Sequence, residues 1–107
     1  MALIRPLPTS GNDSITISNF SAKADASDAA GLHTSDITLT NIWKKLSVGG
    51  FTTVNGSAYI NGDSTQIWTS TTGAASDIDI SSYSTITIHA QASGAYQAAS
   101  ISNIVLS

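Results

Sequence analysis

The sequence predicts an all-β fold, a small antiparallel β-sandwich or jelly roll of about eight strands. Charged residues make up only 10 % of the 107 residues, and every acidic residue is an aspartate. Ser, Thr and Asn fill the polar positions, where helical surfaces usually carry Glu, Lys, Arg and Gln. Several stretches also alternate apolar and polar residues, and turn-forming residues separate them. Short alternating stretches between turns are typical of sandwiches and jelly rolls.

The first 13 residues do not have the residue pattern of a central β-strand. Residues 1–13 include Pro6, Pro8 and Gly11. Proline cannot donate to a sheet ladder, and glycine favours turns, so we expect an extended N-terminal arm here. A length of 107 residues leaves room for one further unit, and we assign residues 14–107 to a single β-sandwich domain.

The first two strands follow from the alternation of isoleucine and leucine with hydroxyl residues. Ile15 and Ile17 predict a strand that begins near residue 14 and ends near Phe20. The alanine-rich residues 22–30 suit either a short helix or a loop. Ile37 and Leu39 then predict a strand over residues 36–43, which Lys44 and Lys45 interrupt.

Two Asn-Gly dipeptides predict a three-stranded meander over residues 51–69. Asn-Gly accepts the positive φ angles of a type I′ turn. We therefore expect Asn55-Gly56 to pair residues 51–54 with residues 57–60 in a hairpin. Asn61-Gly62 should turn the chain once more, into a strand over residues 64–69.

The last third of the chain predicts three more strands. Ile78 and Ile80 alternate with aspartates, and residues 85–90 alternate isoleucine with Thr and His. A loop around Gly94 should follow, and residues 100–106 should form the final strand.

Charge and cysteine content exclude several kinds of partner. The net charge is −3, and the basic residues are Arg5, Lys23, Lys44 and Lys45. Four basic residues are too few to form a positively charged surface for the phosphates of a nucleic acid. No segment approaches the roughly 20 apolar residues of a membrane span. We therefore expect no nucleic-acid or membrane partner. Because the chain has no cysteine, stability must come from the core or from partner subunits, which favours a homo-oligomer such as a trimer.

The residues suited to catalysis form no recognisable motif. A Ser-His-Asp triad can be drawn from His33 or His89, but the sequence has no Gly-x-Ser-x-Gly turn to expose a nucleophile. His89 lies on the polar face of its predicted strand, which suits a solvent-facing or interface histidine. We expect a protein that is not an enzyme and needs no cofactor.

Calcium is an alternative to consider at the aspartates. Asp77 and Asp79 project from one face of a strand, and with Asp63 or the Asp25/Asp28 pair they offer oxygen ligands for calcium. The competing interpretation places Asp63 in its turn and makes Asp77 a cap of its loop, with no metal.

Three aromatic residues are candidates for contact with a glycan: Tyr96, Tyr59 and Trp43. Tyr96 lies in a predicted loop and should be the most exposed. Trp43 follows Ile42, which also suits a place in the core or at its rim. An exposed aromatic platform would indicate sugar binding.

Two C-terminal stretches carry a resemblance to known domains. Residues 77–88 and 100–106 are similar to the closing strands of small jelly-roll domains in bacteriophage virion proteins and in galactose-binding-like carbohydrate modules. The leader, residues 1–4, resembles the start of small phage structural proteins made in the host cytoplasm without a signal peptide. The resemblance implies a location in the virion.

The resemblance and the low charge together indicate a structural role. We expect a capsid decoration protein that binds the major capsid protein and copies of itself through its arm and low-charge faces. The alternatives are a phage tail component and a carbohydrate-binding module that engages host-surface glycans.

Overall fold

The computed structural model describes residues 14–24 and 31–107. Both ranges are built from strands and their connections, and neither contains a helix. Accordingly, no helix of the described part is long and apolar enough to cross a membrane. The predicted arm, residues 1–13, lies outside the described residues. The strands are β1 (Ile15–Lys23), β2 (His33–Thr40), β3 (Lys45–Val54), β4 (Gly56–Gly62), β5 (Thr65–Thr69), β6 (Ala75–Asp79), β7 (Thr85–Ala92) and β8 (Ala98–Leu106).

The strands form two four-stranded antiparallel sheets. Sheet 1 has the order β1-β8-β3-β6, and sheet 2 has the order β2-β7-β4-β5. The first strand pairs with the last, β2 with β7, β3 with β6 and β4 with β5. This is the pairing of one long antiparallel ribbon rolled up on itself, which is the jelly-roll arrangement. The prediction of a small all-β sandwich is confirmed.

The core lies between the two sheets. In β7 the isoleucines and alanines are buried, whereas the threonines, His89 and Gln91 lie on the outer side. Burying each isoleucine or leucine contributes roughly 1.5–3 kcal/mol. Phe51 of sheet 1 meets Trp68 of sheet 2 edge to face, with ring centroids 6.2 Å apart. The largest fully buried aliphatic residues are Leu46, Ile60, Ile80, Ile86, Ile88, Ile101, Ile104 and Leu106.

The predicted meander is wrong at its first turn. Strands β3 and β4 belong to different sheets, so Asn55-Gly56 leads the chain across the sandwich and forms no hairpin. At Gly56 the backbone passes so close to β7 and β8 that a Cβ atom would lie 2.5 Å from the Gln91 carbonyl and 2.8 Å from Ala99 Cβ. Glycine is needed there for the close approach.

The second predicted turn is confirmed. Strands β4 and β5 form a hairpin in which Gly62 pairs with Thr65. Asp63 and Ser64 occupy the turn, and Asp63 has a φ of 53°. The turn is therefore displaced by two residues from Asn61-Gly62.

Several strands have other bounds than the alternation predicted. Ala22 and Lys23 belong to β1, so a helix does not begin at Ala22, and residues 25–30 lie outside the described residues. Strand β2 spans His33–Thr40, which is earlier than predicted. Lys45 begins β3, so the lysine pair separates two strands.

Sheet 1 bends at one level across three strands. Asn19 of β1 and Gly50 of β3 have positive φ angles and stand opposite Ser102 of β8. Ser102 and Asn103 are both exposed, so the alternation of β8 changes phase there. Ser102 Oγ donates to the Gly49 carbonyl at 3.0 Å. This local bend explains how two glycines occur within a strand.

Candidate functional site

The outer face of sheet 2 carries a cluster of polar and aromatic side chains. Asp36 of β2 stands opposite His89 of β7, which stands opposite Tyr59 of β4. Gln91 follows His89 on the same face of β7, because strand side chains repeat every two residues. We call Asp36, Tyr59, His89 and Gln91 the histidine cluster.

His89 makes contacts on three sides. Its Nδ1 lies 2.5 Å from Asp36 Oδ1, and its Nε2 lies 3.2 Å from Gln91 Oε1. The ring stacks on Tyr59 with 4.7 Å between centroids and an angle of 22°. Since a carboxylate oxygen only accepts, Nδ1 is the donor to Asp36. These contacts hold the ring in one orientation.

Two polar atoms of the histidine cluster remain available to a ligand. The Asp36 side chain is 54 % exposed, whereas that of His89 is 13 % exposed. Asp36 bonds His89 through Oδ1 only. Within residues 14–24 and 31–107, no group bonds Asp36 Oδ2 or the Tyr59 hydroxyl. The cluster therefore presents an anchored carboxylate oxygen and a phenol to solvent.

Among the residues that the structure describes, the side chains around the cluster are uncharged. The described lysines lie in β1, in the connection after β2 and in β3, so none lies on a strand of sheet 2. Hydroxyl and amide groups occupy the neighbouring outer positions. These residues are Thr34, Thr38, Ser57, Asn61, Gln66, Thr69 and Thr87.

Asn61 adds an unused acceptor to this face. It lies between Gln66 and Thr87 in the next row of paired residues. Its Oδ1 is buried and receives no hydrogen bond from the part of the chain that the structure describes. An unpaired buried acceptor costs about 1–3 kcal/mol of stability.

The contacts of His89 differ from those of the histidine in a Ser-His-Asp triad. A catalytic triad needs a serine hydroxyl on the second ring nitrogen of its histidine. In this protein the Nε2 of His89 faces the amide of Gln91 instead. His33, the other histidine considered from sequence, begins β2.

The three predicted glycan contacts do not form one platform. Tyr59 belongs to the histidine cluster, as described. Tyr96 is 62 % exposed but lies in the connection between β7 and β8. Trp43 is 2 % exposed and packs in the core, so the expectation that it contacts a glycan is wrong. The apolar surface of an indole ring is more stable between the sheets than in water.

Asp77 and Asp79 are each engaged by their own surroundings. Asp77 Oδ1 lies 4.0 Å from Lys45 Nζ. Asp79 accepts hydrogen bonds from the hydroxyl and the backbone N–H of Ser81, at 2.7 Å and 3.0 Å. The Ser81 hydroxyl and then its N–H stabilise the ionised form, which holds the pKa of Asp79 below its ordinary value of 3.8.

Asp63 supports a neighbouring turn. Its carboxylate accepts from the backbone N–H groups of Ser84 and Thr85, both at 3.0 Å. Among the described residues, no group of three or more His or Asp side chains is placed to hold a metal ion. Asp25 and Asp28 lie outside these residues, so the calcium alternative with that pair stays a prediction.

Sequence reasoning found Tyr59 but missed its partners. Asp36 and His89 are 53 residues apart, and only the pairing of β2 with β7 brings them together. The available signal was weak: both residues occupy outward positions of alternating strands. Any of several strand pairings would have satisfied that signal.

Comparison of the chain with protein-family models, with curated proteins and with solved structures found no match. The strand order and the chemistry of the two outer faces are the features of the molecule that bear on function.

Proposed function

We propose that this protein is a non-enzymatic structural component of a bacteriophage particle, most simply a capsid decoration protein. The observation that carries the proposal is the jelly-roll strand order in a chain with few charges. Jelly rolls are a common architecture of viral capsid proteins. Low charge favours burial against other protein, because interface cores are depleted of charged residues.

Sheet 1 is the side that we assign to attachment. Residues 1–13 lead directly into β1, which is an edge strand of sheet 1. The predicted arm is therefore followed in the chain by an edge strand of this sheet. Near the bend this face bears the small residues Asn19, Gly50, Ser102 and Asn103, which let a partner's backbone approach closely.

The partners in this proposal are the major capsid protein and further copies of the chain. A closed homo-oligomer such as a trimer would bury more surface than one subunit can. Each subunit would contribute its arm and the outer face of sheet 1. A place in the tail is the alternative within the same structural role.

Peptide mass spectrometry of gradient-purified particles tests the proposal. Chymotrypsin suits the digestion, because the chain has seven aromatic residues and only four Lys and Arg. Many copies that co-migrate with the major capsid protein would support decoration, and a few copies would support the tail. Absence of the protein from the particles would contradict a structural role.

Matched variants test the assignment of the attachment face. Thr52 and Thr38 are exposed threonines on the outer faces of sheets 1 and 2, and each bonds a hydroxyl on the next strand. Thr52→Lys, like deletion of residues 1–10, should reduce occupancy on particles and leave the fold intact. Thr38→Lys should leave occupancy unchanged. Equal occupancy for all variants would contradict the assignment.

A further inference from the structure

We propose that the outer face of sheet 2 binds an uncharged glycan, with Asp36, Tyr59 and His89 at the centre of the site. This inference goes beyond a structural role and stands independently of it.

The free atoms of the histidine cluster match the chemistry of sugar hydroxyls. A hydroxyl group donates one hydrogen bond and accepts others. Asp36 Oδ2 accepts only, and the Tyr59 hydroxyl both donates and accepts. The exposed Gln66 and the half-buried Thr69 provide further hydrogen-bonding groups for sugar hydroxyls along β5.

The cluster is already ordered before a ligand arrives. Asp36 is held through Oδ1 by His89, and Tyr59 is held by the stack on the same ring. A side chain that is immobilised on binding loses conformational entropy, and side chains that are already anchored avoid most of that cost. His89 is therefore a positioning residue, whereas Asp36 and Tyr59 contact the sugar.

The charges on this face select against anionic ligands. Asp36 is the acidic residue at the centre, and the described lysines lie off sheet 2. Sialylated, sulfated or phosphorylated glycans would bring a second negative charge beside that carboxylate, and no lysine or arginine lies on the described strands of sheet 2 to offset it. The hydroxyl and amide groups around the cluster instead suit neutral hexose and N-acetylhexosamine units.

The size of the face favours a short glycan over a second protein. Four strands at about 4.8 Å spacing and seven residues at about 3.3 Å give a projected area of roughly 400 Å². A stable protein interface buries about 800 Å² on each partner. This face alone falls short of that area and, unlike sheet 1, it is not preceded in the chain by the predicted N-terminal arm, residues 1–13.

A glycan array probed with the full-length, fluorescently labelled protein is the first experiment. The array carries neutral oligosaccharides of hexose and N-acetylhexosamine, together with their sialylated and sulfated counterparts. We expect binding to neutral members. Binding to none, or to anionic members alone, would overturn the proposal.

Titration calorimetry with the neutral oligosaccharide that binds most strongly then locates the site. Asp36→Asn should weaken binding by about fivefold or more, because the charged acceptor is lost, and Tyr59→Ala by about tenfold or more. The matched controls Asp77→Asn and Tyr96→Ala alter an exposed aspartate and an exposed tyrosine elsewhere, and should bind as the native protein does. Weaker binding by the two control variants, with unchanged binding by Asp36→Asn and Tyr59→Ala, would overturn the assignment to sheet 2.

Sedimentation velocity separates a glycan site from an interface between copies. If the outer face of sheet 2 joined two copies, Tyr59→Ala and Asp36→Asn would shift an oligomer to smaller species. We expect both variants to sediment as the native protein does. A shift to smaller species would overturn the proposal. Tryptophan fluorescence is a poor readout of binding here, since both tryptophans are buried.

Discussion

At the scale of single residues, Asn41 shows how a polar side chain can organise one end of the sandwich. Its Nδ2 donates to the carbonyls of Ile80 and Tyr83 at 2.5 Å and 2.9 Å, and its Oδ1 accepts from the Trp43 N–H at 3.0 Å. These bonds tie the connection after β2 to the connection after β6. Asn41 thus pairs the Tyr83 carbonyl and the Trp43 N–H, and it adds a second donor to the Ile80 carbonyl, which also accepts from the Tyr83 N–H.

Asn41→Ala should lower the free energy of unfolding by about 2–4 kcal/mol, because the Tyr83 carbonyl and the Trp43 N–H lose their partner and the Ile80 carbonyl loses one of its two donors. Asn103→Ala is the matched control, since Asn103 is exposed on β8 and should change the free energy by at most about 0.5 kcal/mol. Urea unfolding followed by circular dichroism measures both. Equal stability of the two variants would contradict the role of Asn41.

Asp79 should titrate below its ordinary value of 3.8, because its ionised form accepts two hydrogen bonds from Ser81. Its folded pKa is lowered, so its contribution to stability is present above the unfolded pKa. That contribution is lost as the pH falls through the folded pKa. NMR titration of the carboxyl carbon measures the value.

Ser81→Ala should move the pKa of Asp79 up towards 3.8, since the hydroxyl makes the larger contribution. Ser82→Ala, one residue further along the exposed turn, should not move it. An unchanged value in Ser81→Ala would show that another group lowers the pKa.

At the scale of elements, two identical dipeptides have different structural roles. Asn55-Gly56 carries the chain from sheet 1 to sheet 2, whereas Asn61-Gly62 ends the first strand of a hairpin. The preference of Asn-Gly for turns is local and is the same at both sites. The pairing of β3 with β8 and of β4 with β7 decides which turn becomes a hairpin.

Gly56→Ala should destabilise the protein by about 1–3 kcal/mol, because the added methyl group overlaps the Gln91 carbonyl and Ala99 Cβ. Gly49→Ala, in β3 of sheet 1, is the control, because a Cβ there meets no atom within 4 Å. It should be neutral or slightly stabilising, because alanine restricts the unfolded chain more than glycine does. Thermal unfolding of both variants provides the comparison.

At the scale of the whole molecule, the fold depends on pairing the ends of the described chain. Strand β8 lies between β1 and β3, and Ile15 pairs with Leu106 across almost the whole sequence. Such long-range pairing must close large loops, and the chain loses conformational entropy before the stabilising contacts between the strands form. The last strand is therefore needed before sheet 1 can form.

We expect folding on the millisecond-to-second timescale of domains dominated by non-local pairing, measured by stopped-flow refolding. Deletion of residues 98–107 should unfold the protein, because β1 and β3 lose their shared partner. Deletion of residues 1–10 should leave the unfolding midpoint unchanged. A folded protein without β8 would contradict this account of sheet 1.

The sequence predicted the fold well where one face of a strand had to be buried. The alternation in β7 identified Ile86 and Ile88 as core and His89 as outward, because side chains of a strand point alternately to its two faces. The same reasoning did not place the glycines of β3 within a strand, because the bend in sheet 1 that accommodates them involves three strands.

The amino-acid sequence by itself determined the all-β class, the low surface charge and the faces on which most strand residues lie. These properties follow from composition and from a period of two, which are local. The tertiary structure alone decided the strand order, the burial of Trp43 and the contact of Asp36 with His89. Those outcomes depend on which distant strands pair, and local patterns carry no information about partners 53 residues away.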